Sequence, residues 1–334
     1  MRLELLPWHA GQWAHLRAAR AQGRLAHALL LGGPAGTGRG HFARMLAASL
    51  LCPTPVSEDG SACGECASCR QFAAGSHADL FHVAPPEAGK ALGVDRIRAL
   101  IDSLHLTAGG ENKVGLIDPA DALTRNAANS LLKTLEEPPD GAYLLLVSAR
   151  SGNLPATIRS RCQRVPFGMP DADQALDWLQ QQHVSAPENW LARAGGAPLL
   201  ARELAVTGEG ADSAAPDPVS ALLAVMTRRR SPVGAAAALA ASSLGDSVRA
   251  WIITVEDMLR LQHAPGAALR LPARREELLA AAGQVDAVRL FDYLESLYRS
   301  IPGPSSSLRE PMQIQGLLAD AAQINAGRPA ATTR

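Results

Sequence analysis

The stretch Gly32-Gly33-Pro34-Ala35-Gly36-Thr37-Gly38-Arg39-Gly40 decides how the chain is read. The apolar run Ala28–Leu31 leads into it, and HFARMLAASLLC, residues 41–52, leaves it with helical spacing. Strand, glycine loop, helix is the context a phosphate-binding loop requires, and Gly33-x4-Gly38 has the loop's spacing. Glycines let backbone N–H groups turn into such a loop, and the helix N-terminus adds positive potential for an anion. Gly33, Gly36, Gly38 and Arg39 are therefore candidate nucleotide-binding residues. Two positions depart from the pattern. Arg39 stands where a lysine reaches the β/γ-phosphates, and a planar guanidinium does not replace a point-charge ammonium cleanly. Gly40 stands where a Ser or Thr hydroxyl binds Mg²⁺.

Composition explains one departure and not the other. Only Lys90, Lys113 and Lys133 are lysines, so an arginine at position 39 follows the chain's general preference. Gly40 has no such excuse. Further along, KVGLID (113–118) reads as a buried strand ending in Asp118, where a carboxylate would hold Mg²⁺ through water. The next residue is Pro119, where an ATPase of this kind carries a Glu that orients the attacking water. Cation, hydroxyl and base are missing together, which predicts a phosphate-loop fold without ATP hydrolysis. Nucleotide binding without turnover is the weaker alternative.

Outward from the loop, residues 12–22 read as an amphipathic helix, Asp79–Val83 as a strand and Val94–Leu104 as a helix. Ala122–Leu135 is a helix closed by Glu136-Glu137-Pro138-Pro139, and Ala142–Ser148 a second buried strand. Leu154–Arg161 reads as a short helix and Arg164–Phe167 as a strand. Continuous apolar strands alternating with helices indicate a parallel sheet covered on both faces. Residues 1–168 thus form an α/β nucleotide-binding-type domain. Residues 169–207 read as a small helical unit around Gly195-Gly196-Ala197-Pro198, and 208–218 have linker composition. Residues 219–326 show helical patterning only, as in a bundle, and 327–334 form a tail.

Four of the five cysteines cluster. Cys52, Cys63, Cys66 and Cys69 form an insertion at 52–69 rich in Pro, Gly and Ser, and this clustering in a chain without an export signal points to metal rather than disulfides. Four thiolates suit one closed, structural Zn²⁺ site. Cys162 reads as a separate buried thiol.

Balanced charge, 32 Lys+Arg against 32 Asp+Glu, argues against a histone-like or polybasic nucleic-acid binder and leaves room for a local basic surface. No apolar stretch approaches membrane-spanning length, and the N-terminal segment lacks a signal peptide's apolar core. A cytoplasmic protein with no membrane partner is expected.

GRLAHALLLGGPAGTGRG, the four-cysteine insertion, KVGLIDPADALTRNAANSLLKTLEEPP and LPATIRSRCQRVPF together resemble the delta-prime family of bacterial DNA polymerase III clamp-loader subunits, of the AAA+ class. The resemblance covers about residues 1–200. It implies an AAA+ module, a small helical lid and an all-α C-terminal collar. It also implies a subunit that does not hydrolyse ATP, that assembles with clamp-loader motor subunits and the delta subunit, and that meets primed DNA and the sliding clamp through that complex. Ser160-Arg161-Cys162 matches the family's SRC motif. By resemblance, Arg161 is an arginine finger acting in trans on a neighbour's γ-phosphoryl; the plain alternative is an ion-paired surface arginine. Ser148 ends its strand where AAA+ motors keep a polar sensor, and Pro198 replaces the second sensor's arginine. Two other readings stay open: an active AAA+ motor subunit of the same machine, and a zinc-knuckle nucleic-acid-binding protein.

Overall fold

The computed structural model describes residues 3–54, 59–87, 89–106, 109–207, 217–239, 244–267, 269–300 and 310–324. The tail expected at 327–334, and all of the expected linker except 217–218, lie outside the described residues. The chain divides into two compact units, Met1–Met169 and Pro170–Arg334.

In the first unit, α1 (Ala10–Ala21) precedes β1 (Ala28–Gly32), and the glycine loop joins β1 to α2 (Arg39–Leu51). There follow α3 (Ala67–Ala73), β2 (Leu80–Val83), α4 (Val94–His105), β3 (Lys113–Ile117), α5 (Arg125–Glu136), β4 (Ala142–Ser148), α6 (Ala156–Arg159) and β5 (Gln163–Pro166). The strands form one parallel sheet in the order β2-β3-β4-β1-β5. Alternate strand residues point to opposite faces. Leu29, Leu31, Leu116 and Leu145 therefore meet Phe42, Leu46 and Leu50 of α2 on one face. Leu30, Ile117, Leu144 and Leu146 meet Ile97, Leu100, Leu131 and Leu135 of α4 and α5 on the other. The sheet is covered on both sides, as its apolar strands require.

Several expected elements are shorter or shifted. The helix expected over Leu154–Arg161 is only α6, Ala156–Arg159, because Pro155 fixes its start and Ser160–Cys162 turn into β5. The helix expected from Ala122 begins at Arg125, where the Thr124 side chain accepts the Ala127 N–H as an N-cap. A single turn of 3₁₀ helix, Ala120–Ala122, comes before it. The insertion contains helix α3, which its composition did not announce. Lys113 is buried, and its ammonium donates to Ser103 O and Leu104 O at 3.2 Å, satisfying carbonyls at the end of α4.

The second unit is all helical among its described residues: α7 (Ala172–Gln181), α8 (Pro187–Arg193), α9 (Pro198–Thr207), α10 (Pro218–Met226), α11 (Pro232–Ala238), α12 (Leu244–His263), α13 (Arg275–Ala282), α14 (Ala287–Arg299) and α15 (Glu310–Gln323). Its core is centred on α12, whose Trp251 is fully buried and donates its indole N–H to Pro218 O at 2.8 Å. Among the described residues, no helix is long and apolar enough to cross a membrane.

Candidate functional site

The ends of β1, β3 and β4 converge at the carboxyl edge of the sheet, where ligands bind in open α/β folds. The glycine loop occupies this edge. Gly33 admits no side chain, since a Cβ there would lie 2.0 Å from Phe167 O, and Gly38 holds φ +91° at the N-cap of α2. The Gly33 N–H donates to Ser148 O at 3.2 Å and so points into the fold. Trp8 donates its indole N–H to Thr37 O at 2.8 Å, pinning the loop from the N-terminal side.

Arg39 does not reach outward. It is 8% exposed, and its Nη1 donates to Ser148 O. Burial pulls its guanidinium below the ordinary value, while Asp121 and Asp118 push back. Burial pushes Asp118 up, and His82 and Arg39 oppose that rise. Cation and carboxylate thus stabilise one another inside the protein, in the region where a magnesium nucleotide would need both. Gly40 completes the arrangement: a Cβ at this position would lie 2.6 Å from Asp118 Oδ2. A hydroxyl residue at 40 fits only if that carboxylate moves.

Sequence reasoning missed Asp121. Its carboxylate accepts from Ser148 Oγ and the Ala149 N–H at 2.6 Å, and from the Arg150 N–H at 3.1 Å. The buried Ser148 hydroxyl is therefore spent on an internal bond. A second acid three residues after Asp118 in DPAD was the one available signal.

Arg161 lies apart from the loop residues in role, on the turn between α6 and β5, with its side chain 34% exposed. Its Nε donates to Glu136 Oε1 at 2.7 Å, Nη2 bonds the same oxygen, and Nη1 donates to Thr157 O at 3.1 Å. Glu136 had been read only as part of a helix stop. Cys162 is buried, and burial pushes its thiol up to about 11.

The four clustered cysteines come together. Their sulfurs all lie within 4.8 Å of one another, with Cys52–Cys66 at 3.9 Å and Cys63–Cys69 at 3.8 Å. Those two separations are far too long for disulfides and match the ~3.8 Å edge of a tetrahedron built on metal–sulfur bonds of about 2.3 Å. Backbone N–H groups of Cys63, Cys66 and Cys69 each lie 3.4 Å from a cluster sulfur. Amides of Glu65 and Cys66 hold the Cys63 thiol down to about 6. This set could hold a metal ion. Cys52 caps α2, the helix that begins at the glycine loop.

The family described as "DNA polymerase III, delta subunit" matches residues 8–171. DNA polymerase III subunit delta' of Pseudomonas aeruginosa is 43% identical over 206 residues, 60% of this chain and 61% of that protein. The Yersinia pestis subunit delta' is 40% identical over 178 residues, 53% of this chain and 52% of that protein. DNA polymerase III subunit tau of Escherichia coli is 36% identical over 168 residues, 49% of this chain and 25% of that protein. The chain spans between half and about three fifths of the length of the delta' relatives it matches. The parallel α/β architecture with the loop after β1, followed by helices alone among the described residues, is the fold class expected from the sequence.

Proposed function

We propose, from the premise that residues 8–171 belong to the DNA polymerase III delta-subunit family, that the chain is a non-hydrolysing clamp-loader subunit. In this reading it serves DNA replication in the cytoplasm by helping load a sliding clamp onto primed DNA. Its partners are the ATP-hydrolysing motor subunits and the delta subunit, and it reaches DNA and clamp through the complex. Residues 169–207 act as lid and 219–326 as collar.

One observation carries the non-hydrolysing assignment: Arg39 is folded back onto Ser148 O among Asp118 and Asp121, and Gly40 leaves no room beside Asp118. The groups that would bind Mg-nucleotide are committed to each other, and Pro119 cannot activate water. The chain's contribution to chemistry is then Arg161. A motor subunit's ATP site at a subunit boundary lacks a charge to stabilise the transferring γ-phosphoryl, and a guanidinium from next door supplies it. Arg161 suits that task because it is partly exposed on a short turn between ordered elements. Cys52, Cys63, Cys66 and Cys69 hold one Zn²⁺, which supplies no catalysis and braces the end of α2.

The match to subunit tau, 36% identical over 49% of this chain, favours the competing reading, an active motor. Phosphate release decides between them. The purified chain is expected to show no ATP turnover, and Arg161→Ala is expected to lower DNA-stimulated turnover of the reconstituted loader by about 10³-fold per affected site. Robust hydrolysis by the chain alone would establish the motor reading, and undiminished turnover in the mutant complex would remove Arg161 from the mechanism.

A further inference from the structure

We infer that Glu136 is a positioning residue for Arg161, holding the guanidinium by its inner edge so that the remaining Nη2 donor and the positive charge are presented to an anionic phosphoryl group. The inference rests on the reading that Arg161 acts in trans.

Glu136 is the last residue of α5, where a carboxylate opposes the negative end of the helix dipole. Helix stability therefore gives no reason for an acid at this place, whereas a cation next to it does. Arg161 supplies that cation from 25 residues away, on a different element. Glu136 Oε1 takes the Nε–Nη2 side of the guanidinium, and Thr157 O takes one donor of Nη1 at 3.1 Å. The Ser160 hydroxyl lies 3.4 Å from Nη1 and completes the surroundings. Of five N–H donors on an arginine, four are engaged by these partners, and one on Nη2 is left for an incoming phosphate oxygen.

Magnitude separates positioning from sequestration. The Glu136 side chain is 51% exposed, and ion pairs in water are weak and screened. Such a bond cannot keep a guanidinium from a multiply charged phosphate in a drier subunit joint. It can remove rotamers that a long side chain would otherwise explore, and an orientation fixed beforehand raises rate more than affinity.

The test uses the assembled loader, with rates expressed per complex quantified by native mass. Glu136→Ala is expected to lower kcat about 10-fold, with the KM for ATP shifted less than about twofold, and to leave assembly and melting temperature unchanged. Glu136→Gln keeps the accepting oxygen and is expected to retain most of the rate. In an Arg161→Ala background, Glu136→Ala is expected to add nothing. A wild-type kcat for Glu136→Ala, a Gln variant as impaired as the Ala variant, or additive effects in the double mutant would each overturn the inference. If Arg161→Ala lowers turnover and Glu136→Ala does not, only the positioning role falls. If Arg161→Ala is itself without effect, the in-trans reading falls first.

Discussion

Arg39 carries a full charge into a place that is 8% exposed, and such a charge persists only where opposite charge surrounds it. Asp118 and Asp121 supply that surrounding, so the arginine, the two acids and the glycine at 40, which leaves Asp118 its place, behave as one substitution made at several positions. His9 shows the opposite solution, a titratable group kept neutral. It is 1% exposed among Trp8, Phe42 and Phe167, and burial pushes it down to about 4 against a backbone hydrogen bond at Thr37. Unfolded, the same ring takes a proton near pH 6.5, so between about 6.5 and 4 the unfolded chain binds more protons than the folded one. His9 therefore costs stability as pH falls through this window, about 2 kcal/mol at pH 5. His9→Phe is expected to flatten the pH dependence of melting between pH 7 and 4.5; a mutant curve parallel to wild type would contradict this. Arg39, Gly40 and Pro119 could be read from the sequence because each departs from a short spacing pattern. Asp121 and Glu136 could not, since their partners lie 27 and 25 residues away and only the packed sheet brings them near.

Among the elements, the buried strands were the most legible. Ala142–Ser148 is a strand from end to end, because seven residues of nearly unbroken apolar character, buried on both faces, have few other places to go. Short helices were the least legible, as α6 shows, where four residues carry no full period and a proline sets the start. The closeness of the four cysteines was legible, but not the place of Cys52 as the C-cap of α2. Cys52 follows α2 directly, Ser68 Oγ donates to Leu51 O at 2.8 Å, and Ser49 Oγ donates to Gly60 O at 2.6 Å. The insertion is thus tied to the C-terminal end of the helix whose other end forms the glycine loop. In the proposed function, a closed metal site would stabilise such a small knuckle, which has little apolar core of its own. Cys66→Ser, or chelation of the wild-type chain, is expected to lower bound zinc from one equivalent to well below one and to reduce the melting temperature by roughly 4–8 °C, the shift for about 2 kcal/mol in units of this size. Retention of one tightly bound zinc in Cys66→Ser would show that four thiolates are not the site.

On the scale of the whole molecule, each compact unit owns a core, and the division of labour follows that boundary. Residues 1–169 contain both covered faces of the sheet, the glycine loop, the four cysteines, Glu136 and Arg161. Residues 170–334 contain only helices among those described, packed around Trp251 and its neighbours. A first unit with two complete apolar layers does not need the second to fold. In the proposed function it needs the second to be useful, because an arginine finger stabilises a phosphoryl group only when the subunit joint holds it at bonding distance, and misplacement by about 1 Å can cost about 10²-fold in rate. The fragment 1–169 is therefore expected to be folded, to bind one zinc, and to keep the cooperative melting of a single domain. Mixed with motor and delta subunits, it is expected to stay out of the complex by native mass and to leave DNA-stimulated ATP turnover at the level of the mixture without it. If the fragment enters the complex and restores turnover, the collar assignment of 219–326 fails while the finger assignment survives. If the fragment is unfolded, the cores are not independent, and the second unit has a structural role that assembly alone does not describe.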